Sequence, residues 1–573
     1  MKDLVLVAIN AKYIHTNLAV RSLKAQLADF DVEIVEVSIN DPLHRIIKLL
    51  LDTDAKRIGF SCYIWNIEMV LKLAEVLKKA RPQLQIIWGG PEVSFDGLGL
   101  MKEHRFCDFI IQGEAEDKLK ALLKSGDNLQ KFFQVPGLCY RNLAGEIIEN
   151  PDAEPAPLNQ LVFPYANVDL DRLKNKIIYY ETIRGCPFAC SYCLSSTKPG
   201  LKLLDLDRVL SELDFFIGAG VKQVKLVDRT FNCDLARAKA IFKHLIKGGG
   251  DTNFHFEMTG DRIDDEMIDL LKTAPPGLIQ FEIGVQSTSP DTLTAIGRKI
   301  SVSRTEEHVK KLLDQDNIHI HLDLIAGLPH ESYVLFKSSF NQVIALRPDM
   351  LQLGFLKCLK GTRIRSQADR HDYQYASFAP YEIISNKYIS AKELYQLRQI
   401  EVLVDRYFNS GAFKDSLAFI FTAQIYPTPF DFFEAFSIYW ESSGYYDLGK
   451  SKEQLFLILS DFFAGHEKSQ LIGDWIKFDC LAQGNLRLPI GMADTCPAKE
   501  WIFEFLKEPQ NITKYLTRFV NLAPKKIYTQ VKFQYFSTAF LSQLSGQAAL
   551  SHDGQGLMVF YEGGFEIISS NHQ

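Results

Sequence analysis

Short apolar runs alternate with helical stretches twice along this chain, and this double alternation constrains its fold more than any other feature. The first alternation runs from the start to about Arg141, and the second from about Ile177 to Leu359. Strands separated by helices predict βαβ units and mostly parallel sheets. Between the two, residues 150–157 contain three prolines and no periodicity, which predicts an extended linker.

The first alternation predicts an α/β domain with a doubly wound sheet of the flavodoxin or Rossmann type. Its predicted strands are Leu4–Ile9, Val32–Val37, Arg57–Ser61, Leu84–Trp88 and Phe109–Ile111. In such a sheet, ligands bind beyond the carboxyl ends of the strands. The residues that fall at those ends are Asn10, Ser61, Gly89-Gly90 and Gly113-Glu114.

The second alternation predicts a partial (β/α)6 barrel, because polar residues cluster at the ends of its strands. These predicted strands are Ile177–Thr182, Val224–Val227, Phe254–Met258, Leu278–Ile283, Ile318–Leu324 and Leu351–Leu356. Beyond about Gln374 a mixed, mainly helical region follows, with helices in Tyr388–Phe408 and Pro427–Phe463 and strands in Lys526–Phe540 and Met558–Ile567. The predicted division is a B12-binding-like domain at 1–145, a linker at 146–172, the barrel at 173–370 and a C-terminal domain at 371–573.

Composition narrows the class of protein. The 64 basic and 70 acidic side chains give a net charge of −6, which argues against a DNA-binding polyelectrolyte, so nucleic acid is not an expected partner. No window approaches the roughly 18 consecutive apolar residues that span a bilayer, and the start lacks a signal-peptide pattern. Ten cysteines in such a chain predict reduced thiols and a cytoplasmic protein.

The strongest chemical signal is a cysteine motif directly after the first predicted barrel strand. Cys186, Cys190 and Cys193 are spaced C-x3-C-x2-C on a loop with Gly185 and Pro187. Three thiolates can bind three irons of a [4Fe–4S] cluster, and without a fourth ligand at matching spacing one iron stays open. The alternatives are a zinc site, which takes a fourth ligand, and three incidental core cysteines.

This C-x3-C-x-aromatic-C loop on a partial barrel resembles the radical S-adenosylmethionine (SAM) superfamily. With the N-terminal domain, about the first 365 residues are similar to its cobalamin-binding branch, which includes methyltransferases and the anaerobic protoporphyrin ester cyclase. The resemblance implies that SAM binds the open iron through its amino and carboxylate groups. An electron from the reduced cluster then cleaves SAM to methionine and a 5′-deoxyadenosyl radical, which abstracts a hydrogen from the substrate.

The resemblance assigns roles to further residues at the barrel rim. Tyr192 resembles the residue that packs near the SAM adenine, and Asp228 takes the place where the family binds the SAM amino group, although the usual Gly-Gly-Glu is absent. Glu282 and Gln286 are candidates for the ribose hydroxyls or the methionyl end. Arg298 is a candidate partner of the SAM carboxylate, which a guanidinium binds with two parallel hydrogen bonds. The alternative for each is a surface salt bridge or a strand cap.

The resemblance also implies cobalamin as a cofactor of the first domain. The D-x-H-x-x-G pattern that supplies a cobalt-binding histidine is absent, but many relatives hold cobalamin without it. The candidate cofactor-binding residues are Asn10, Tyr13, His15, Ser61, Gly89, Gly90 and Glu114. The two glycines let the backbone approach a flat ligand. A tight strand-to-helix turn explains them equally well, and a domain that kept the fold and lost the ligand is the alternative.

Three functions follow from these observations. The first is cobalamin-dependent methyl transfer to an unactivated carbon, with the radical generated from SAM. The second is a cyclase- or oxidoreductase-type radical reaction without methyl transfer, and the third is a non-enzymatic iron–sulfur redox module. The first two require a substrate that the sequence does not identify and an external one-electron reductant such as flavodoxin or ferredoxin.

Overall fold

The computed structural model describes residues 2–126, 128–165, 173–197, 200–484, 486–545 and 555–568. These residues form two compact units, one of Met1–Pro348 with Gln352–Leu394 and one of Asp349–Leu351 with Tyr395–Gln573. The second part of the predicted linker, residues 166–172, lies outside the described residues. No helix of the described chain is both long and apolar enough to cross a membrane.

The N-terminal domain is the doubly wound sheet that the sequence predicts. Its strands are β1 (Leu4–Asn10), β2 (Val32–Ser38), β3 (Arg57–Ser61), β4 (Gln85–Gly89), β5 (Phe109–Ile111), β6 (Leu138–Arg141) and β7 (Ile147–Glu149). They are ordered β2-β1-β3-β4-β5-β6-β7, with parallel pairs up to β5 and an antiparallel β6–β7 hairpin that the sequence analysis did not predict. The strand order reverses between β1 and β3, so their carboxyl ends flank the position where such sheets bind ligands.

Helices cover both faces of this sheet. They are α1 (Leu18–Gln26), α2 (Leu43–Leu51), α3 (Ile67–Ala80), α4 (Gly97–Glu103), α5 (Glu116–Ser125) and α6 (Leu129–Phe132). Every residue of β1 is buried, and its side chains alternate between two cores. Val5, Val7 and Ile9 enter one core, whereas Leu4 and Leu6 enter the other. This continuous apolar strand is typical of a parallel sheet that is covered on both sides.

The second domain is a partial barrel, as predicted. Its strands, with a two-stranded hairpin beside the cysteine loop, are β8 (Ile177–Tyr180), β9 (Ile183–Gly185), β10 (Leu201–Leu203), β11 (Gln223–Leu226), β12 (Asn253–Met258), β13 (Ile279–Gln286), β14 (His319–Ala326) and β15 (Met350–Phe355). The barrel sheet is ordered β15-β14-β13-β12-β11-β8, and β9 pairs with β10. Because β8 and β15 are the two edges of this sheet, the barrel is open between them.

The barrel helices are α7 (Leu206–Gly218), α8 (Leu235–Gly248), α9 (Asp265–Leu271), α10 (Pro290–Ala295), α11 (Val302–Leu313) and α12 (Tyr333–Ile344). After the barrel come α13 (Arg363–Ser366), β16 (Gln374–Tyr375) and β17 (Ile383–Ser385). The mainly helical C-terminal region contains α14 (Ala391–Leu403), α15 (Lys414–Thr422), α16 (Pro429–Ser442), α17 (Lys452–Phe462), α18 (Ser469–Ala482), α19 (Lys499–Lys507), α20 (Pro509–Tyr515), α21 (Pro524–Tyr528), β18 (Val531–Ser537), α22 (Thr538–Ser545), β19 (Gln555–Tyr561) and β20 (Gly564–Ile568).

Two predictions for this region were wrong in detail. The predicted strand Lys526–Phe540 is strand only over β18, because Pro524 starts a short helix before it and α22 follows it. The predicted strand Met558–Ile567 is the β19–β20 hairpin, with Gly563 in the left-handed conformation at its turn.

The loops at the carboxyl edge of the first sheet contact the β8 side of the barrel. The Ile177 N–H donates to the Ile14 carbonyl oxygen at 2.8 Å, and the Thr16 hydroxyl donates to the Ile177 carbonyl oxygen at 2.8 Å. Further along, Arg184 Nη1 donates to Glu114 Oε2 at 2.8 Å. The loops after β1 and β5 therefore both pack against this edge of the barrel.

The loop after β4 contacts the chain that follows β15, at the other edge. Glu92 is buried, lies 3.0 Å from Lys360 Nζ and accepts a hydrogen bond from the Tyr381 hydroxyl. The carboxyl edge of the first sheet therefore lies across the open side of the barrel and closes it.

Candidate active site

The cysteine loop is held between β9 and β10. Gly185 begins the loop with a φ of +99°, and a Cβ on it would lie 2.2 Å from the Gly200 carbonyl oxygen, so only glycine fits there. The Ser196 hydroxyl donates to the carbonyl oxygens of Cys190 and Cys193, at 2.8 and 2.7 Å. These contacts shape the loop without using the thiols, which stay available as ligands.

The three thiols fit an iron–sulfur cluster better than a single ion. Burial raises the pKa of Cys190, the Arg298 charge opposes this, and Cys193 and Cys186 add to it, so the three sulfurs lie close enough to interact. Yet no three His, Cys, Asp or Glu side chains of the described residues converge on one metal position. A cube binds each thiolate at a different iron, whereas zinc needs convergent ligands.

Arg298 joins this loop to the end of β13. Its Nη1 lies 3.8 Å from Cys190 Sγ, and its Nη2 donates to the Gly284 carbonyl oxygen. Within the described chain, Arg298 Nε and Gln286 Oε1 are buried with no hydrogen-bond partner. Buried polar atoms are almost always paired, so this pair of atoms fits the polar groups of a ligand such as SAM. Tyr192, before the last cysteine, is also largely enclosed, and burial raises the pKa of its hydroxyl.

Asp228 is held in the structure by the chain that enters the cysteine loop. Its carboxylate is fully buried and accepts hydrogen bonds from the Thr182 N–H at 2.6 Å, the Ile183 N–H at 2.9 Å and the Thr182 hydroxyl. Burial raises the pKa of Asp228 to about 7 in spite of these donors. The side chain thus positions the chain that enters the cysteine loop, and its contact with the SAM amino group stays a prediction.

Glu282 belongs to a charged cluster inside the barrel. Lys225 Nζ lies 2.8 Å from Glu282 Oε2 and 3.9 Å from Glu257 Oε1, and His255 Nε2 lies 3.2 Å from Glu282 Oε2. Burial alone raises the pKa of Glu282, but His255 and Lys225 hold it below its usual range. Burial raises the pKa of Glu257. The barrel interior is therefore polar and charged.

Four predicted residues of the first domain lie at or near the switch point between β1 and β3. Asn10 Nδ2 donates to the His15 carbonyl oxygen at 3.0 Å and so shapes the loop after β1. Ser61 is buried at the end of β3. His15 Nδ1 lies 2.7 Å from the Tyr179 hydroxyl, so this imidazole ring is in hydrogen-bond contact with the barrel. Tyr13 is 77% exposed, with Lys176 Nζ 4.7 Å from its ring centre.

The other three predicted residues have partners within the chain. Gly90 has a φ of +113°, and a Cβ there would lie 2.6 Å from the Cys62 carbonyl oxygen, so a tight turn explains this glycine. Gly89 accepts a hydrogen bond from the Cys62 N–H at 2.7 Å. Glu114 pairs with Arg184 of the barrel domain, and its role in cofactor binding stays a prediction.

Several residues of this region were not predicted. Tyr63 and Trp65 stack with ring centres 4.3 Å apart just after β3, and Trp65 Nε1 donates to the Ile9 carbonyl oxygen at 3.1 Å. Both lie just after Ser61, at two and four residues from the end of a predicted strand, and this position could have identified them as site residues. Lys225 was not predicted either, because it lies inside a short strand and the sequence does not show which face of that strand points into the barrel.

A buried acid beside the end of β13 predicts a pH-dependent stability. Burial raises the pKa of Glu331 to about 8, and the Ser287 hydroxyl donates to its carboxyl group. The unfolded chain loses this proton near the usual value of 4.5. Between these values the free energy of unfolding should fall as pH rises, by at most about 1.4 kcal/mol per pH unit.

Glu331→Gln should remove most of that slope while keeping the hydrogen bond from Ser287. The measurement is the urea concentration at the unfolding midpoint, at several pH values between about 5 and 8. As pH rises, the midpoint of the variant should increase relative to that of the wild type. Exposed Glu307→Gln is the control. Parallel pH profiles for wild type and Glu331→Gln would contradict the expectation.

Three family models match the chain. The B12 binding domain model matches residues 4–123, and the Radical SAM superfamily model matches residues 180–341. A third model, described as a protein of unknown function (DUF4080), matches residues 369–555.

Two curated relatives align with about half of the chain. The 2-(S-pantetheinyl)-carbapenam-3-carboxylate methyltransferase of Streptantibioticus cattleyicolor is 27% identical over 310 residues, which is 51% of this chain and 45% of that protein. The cobalamin-dependent radical SAM methyltransferase TokK of Streptomyces tokunonensis is 26% identical, over 50% of this chain and 44% of that protein. The chain thus spans less than half the length of either relative.

A solved structure shares the fold over a larger part of the chain. The cobalamin-dependent S-adenosylmethionine radical enzyme OxsB, with aqua-cobalamin and SAM bound, aligns with a TM-score of 0.56 at 16% identity. The alignment covers 84% of this chain and 79% of that one. At this identity the likeness concerns the fold.

Proposed function

Because this chain belongs to the cobalamin-binding branch of the radical SAM superfamily, we propose that it transfers a methyl group to an unactivated carbon. The two domain families imply a [4Fe–4S] cluster, SAM and cobalamin as its cofactors. When bound, these groups supply an electron, a radical precursor and a methyl carrier. Both aligned relatives are methyltransferases by name, which favours this reaction over the others of the branch.

One observation carries the proposal: the carboxyl edge of the first sheet closes the open side of the barrel. The edge contacts β8 through Ile14, β9 through Glu114, and the chain after β15 through Glu92. A cofactor at the switch point of the first sheet would therefore face the barrel interior. Methyl transfer needs donor and acceptor in one enclosed space, from which water is excluded.

The residues of this chain then have the following proposed tasks. Cys186, Cys190 and Cys193 hold three irons, while Arg298 and Gln286 bind polar groups of SAM at the end of β13. At the first sheet, Asn10, Tyr13, His15, Ser61, Gly89 and Gly90 form the edge that faces cobalamin, and Tyr192 packs beside SAM.

The barrel interior indicates the class of substrate. Lys225, His255, Glu257 and Glu282 present charged and hydrogen-bonding groups there. A site lined by such groups discriminates against a ligand that leaves them unpaired. We therefore expect a polar substrate with its own donors and acceptors, and not a hydrocarbon.

The proposed domain limits are 1–145, 146–172, 173–370 and 371–573. The ten cysteines are free thiols, which suits a reducing compartment such as the cytoplasm. The reaction also needs an external one-electron reductant, of the flavodoxin or ferredoxin type.

The test is anaerobic reconstitution with iron, sulfide and hydroxocobalamin, followed by desalting and an absorption spectrum. We expect retained cobalamin beside the cluster, and transfer of label from methyl-labelled SAM to a polar acceptor. A cluster without cobalamin would contradict the proposal. Retained cobalamin with SAM cleavage but no methyl transfer would favour the cyclase- or oxidoreductase-type reaction instead.

Arg298→Lys should weaken SAM binding while the cluster is kept. Lysine preserves the charge but loses the planar fork that binds a carboxylate with two hydrogen bonds. We expect the Kd of SAM to rise about tenfold, which corresponds to about 1.4 kcal/mol. Equilibrium dialysis of the reconstituted protein measures it, with the exposed Arg304→Lys as control. An unchanged Kd would remove Arg298 from the SAM site.

A further inference from the structure

A cleft of about 570 Å³ lies beside the cysteine loop. Its lining, which we call the basic cleft, consists of Ser191, Asp291, Thr294, Ala295, Gly297, His330, Arg363, Gln367, Arg370 and His371. These residues come from the cysteine loop and from the loops and short helices after β13, β14 and β15. The cleft therefore opens at the carboxyl face of the barrel strands.

The floor of the basic cleft is the backbone that carries Cys190. The Ser191 N–H donates to the Ile296 carbonyl oxygen at 2.8 Å, and the Ile364 N–H donates to the Ser191 carbonyl oxygen at 2.9 Å. Arg363 Nη2 donates to the Ala189 carbonyl oxygen. Cys190 is buried and directly precedes Ser191 of the lining, so the cleft borders the part of the chain that carries this thiol.

The basic cleft carries positive charge. Arg363 and Arg370 are exposed, and Asp291 is the acidic residue of the lining. Burial, followed by the charges of Lys387 and Arg370, lowers the pKa of His371. Such a surface attracts acidic proteins over a distance of about one Debye length, about 8–10 Å.

We propose that the basic cleft is the docking surface of an acidic one-electron carrier protein. The inference rests on the iron–sulfur cluster of the proposed function. One electron leaves the reduced carrier and enters the oxidised cluster, so the carrier is oxidised by one electron as the cluster is reduced, and no covalent bond changes. Electron-transfer complexes of this kind bury little surface and depend on charge complementarity, which an exposed basic cleft supplies.

The experiment compares Arg370→Glu with Lys272→Glu. Arg370 is exposed in the cleft, whereas Lys272 is exposed after α9, at the opposite, amino-terminal end of the barrel strands. Both changes alter the charge by the same amount. The reconstituted proteins are reduced by photoreduced flavodoxin or by photoreduced deazaflavin, a small neutral reductant, and the cluster absorbance is followed. The Kd of oxidised flavodoxin is measured separately, with and without the cluster.

We expect Arg370→Glu to slow reduction by flavodoxin about tenfold at low ionic strength and to raise the Kd of oxidised flavodoxin similarly, with both effects shrinking in salt. Reduction by deazaflavin and both results for Lys272→Glu should match the wild type. Equal flavodoxin rates and affinities in all three proteins would overturn the inference. A loss that deazaflavin shares would also overturn it, because Arg370 would then act on the cluster.

The affinity measurement separates this inference from the proposed function. Flavodoxin affinity that depends on Arg370 would support the docking surface even in a protein that cleaves no SAM. Milder Arg370→Gln serves as a second variant if Arg370→Glu does not fold, and it should show the same effects at about half the size on a logarithmic scale, because it removes one charge where Arg370→Glu changes two.

Discussion

The Cys190→Ala variant is expected to hold no [4Fe–4S] cluster and to cleave no SAM. Each of the three thiolates binds a different iron, so the loss of one leaves two irons of the cube without a protein ligand. Cys190 is also the buried member of the triad, with Arg298 beside its sulfur. The measurements are iron and sulfide content, the cluster absorbance, and formation of 5′-deoxyadenosine, which should fall to the level of a sample without protein.

Cys107→Ala is the matched control. Cys107 is fully buried in the first domain and lies outside the triad, so its replacement should cost some stability and leave cluster content and SAM cleavage unchanged. SAM cleavage retained in Cys190→Ala would overturn the assignment of the cluster and with it the proposed function.

The second large effect is expected on stability, from Arg184→Ala. Arg184 donates to Glu114, Glu116 and Glu181 at 2.8, 2.9 and 2.7 Å, and its side chain is 20% exposed. Its removal leaves three carboxylates close together in a partly buried site. Breaking such a site by removing one partner costs about 3 kcal/mol. Urea unfolding of the protein without cofactors measures the loss.

Arg45→Ala provides the comparison on a surface ion pair. Arg45 contacts Asp41 at 3.2 Å but is 74% exposed, so its loss should cost less than about 1 kcal/mol. If both variants unfold at the urea concentration of the wild type, the Arg184 cluster does not hold the two domains together.

The sequence predicts those parts of the fold that have a recognisable local pattern of residues. β1 is recognisable because all its residues are apolar up to Asn10, and the cysteine loop because its spacing has few other uses. The β6–β7 hairpin was missed since its strands have only four and three residues, too few to show a period. Local periodicity thus identifies long elements, whereas a short strand is found only where, as in β5, every residue is apolar.

The orientation of single side chains at strand ends was not predictable. Asp228 does follow a strand, as expected, but its partners Thr182 and Ile183 lie at another strand end, 46 and 45 residues earlier. Likewise the carboxylates of Glu114 and Glu116 meet Arg184 across 70 and 68 residues of sequence. Such partners become visible only when the register and packing of both domains are known.

The closure of the barrel by the first sheet has a consequence for chimaeric proteins. The wall of the barrel interior is shared, because Glu92 of the first domain contacts Lys360 of the barrel domain and Tyr381 of the segment that follows it. An N-terminal domain taken from another protein would need matching carboxylates at positions 92, 114 and 116. Without them, the open side of the host barrel would not be closed, and the cationic side chains beside it would have no partners. The N-terminal domain and the barrel are therefore expected to have evolved together and not as interchangeable modules.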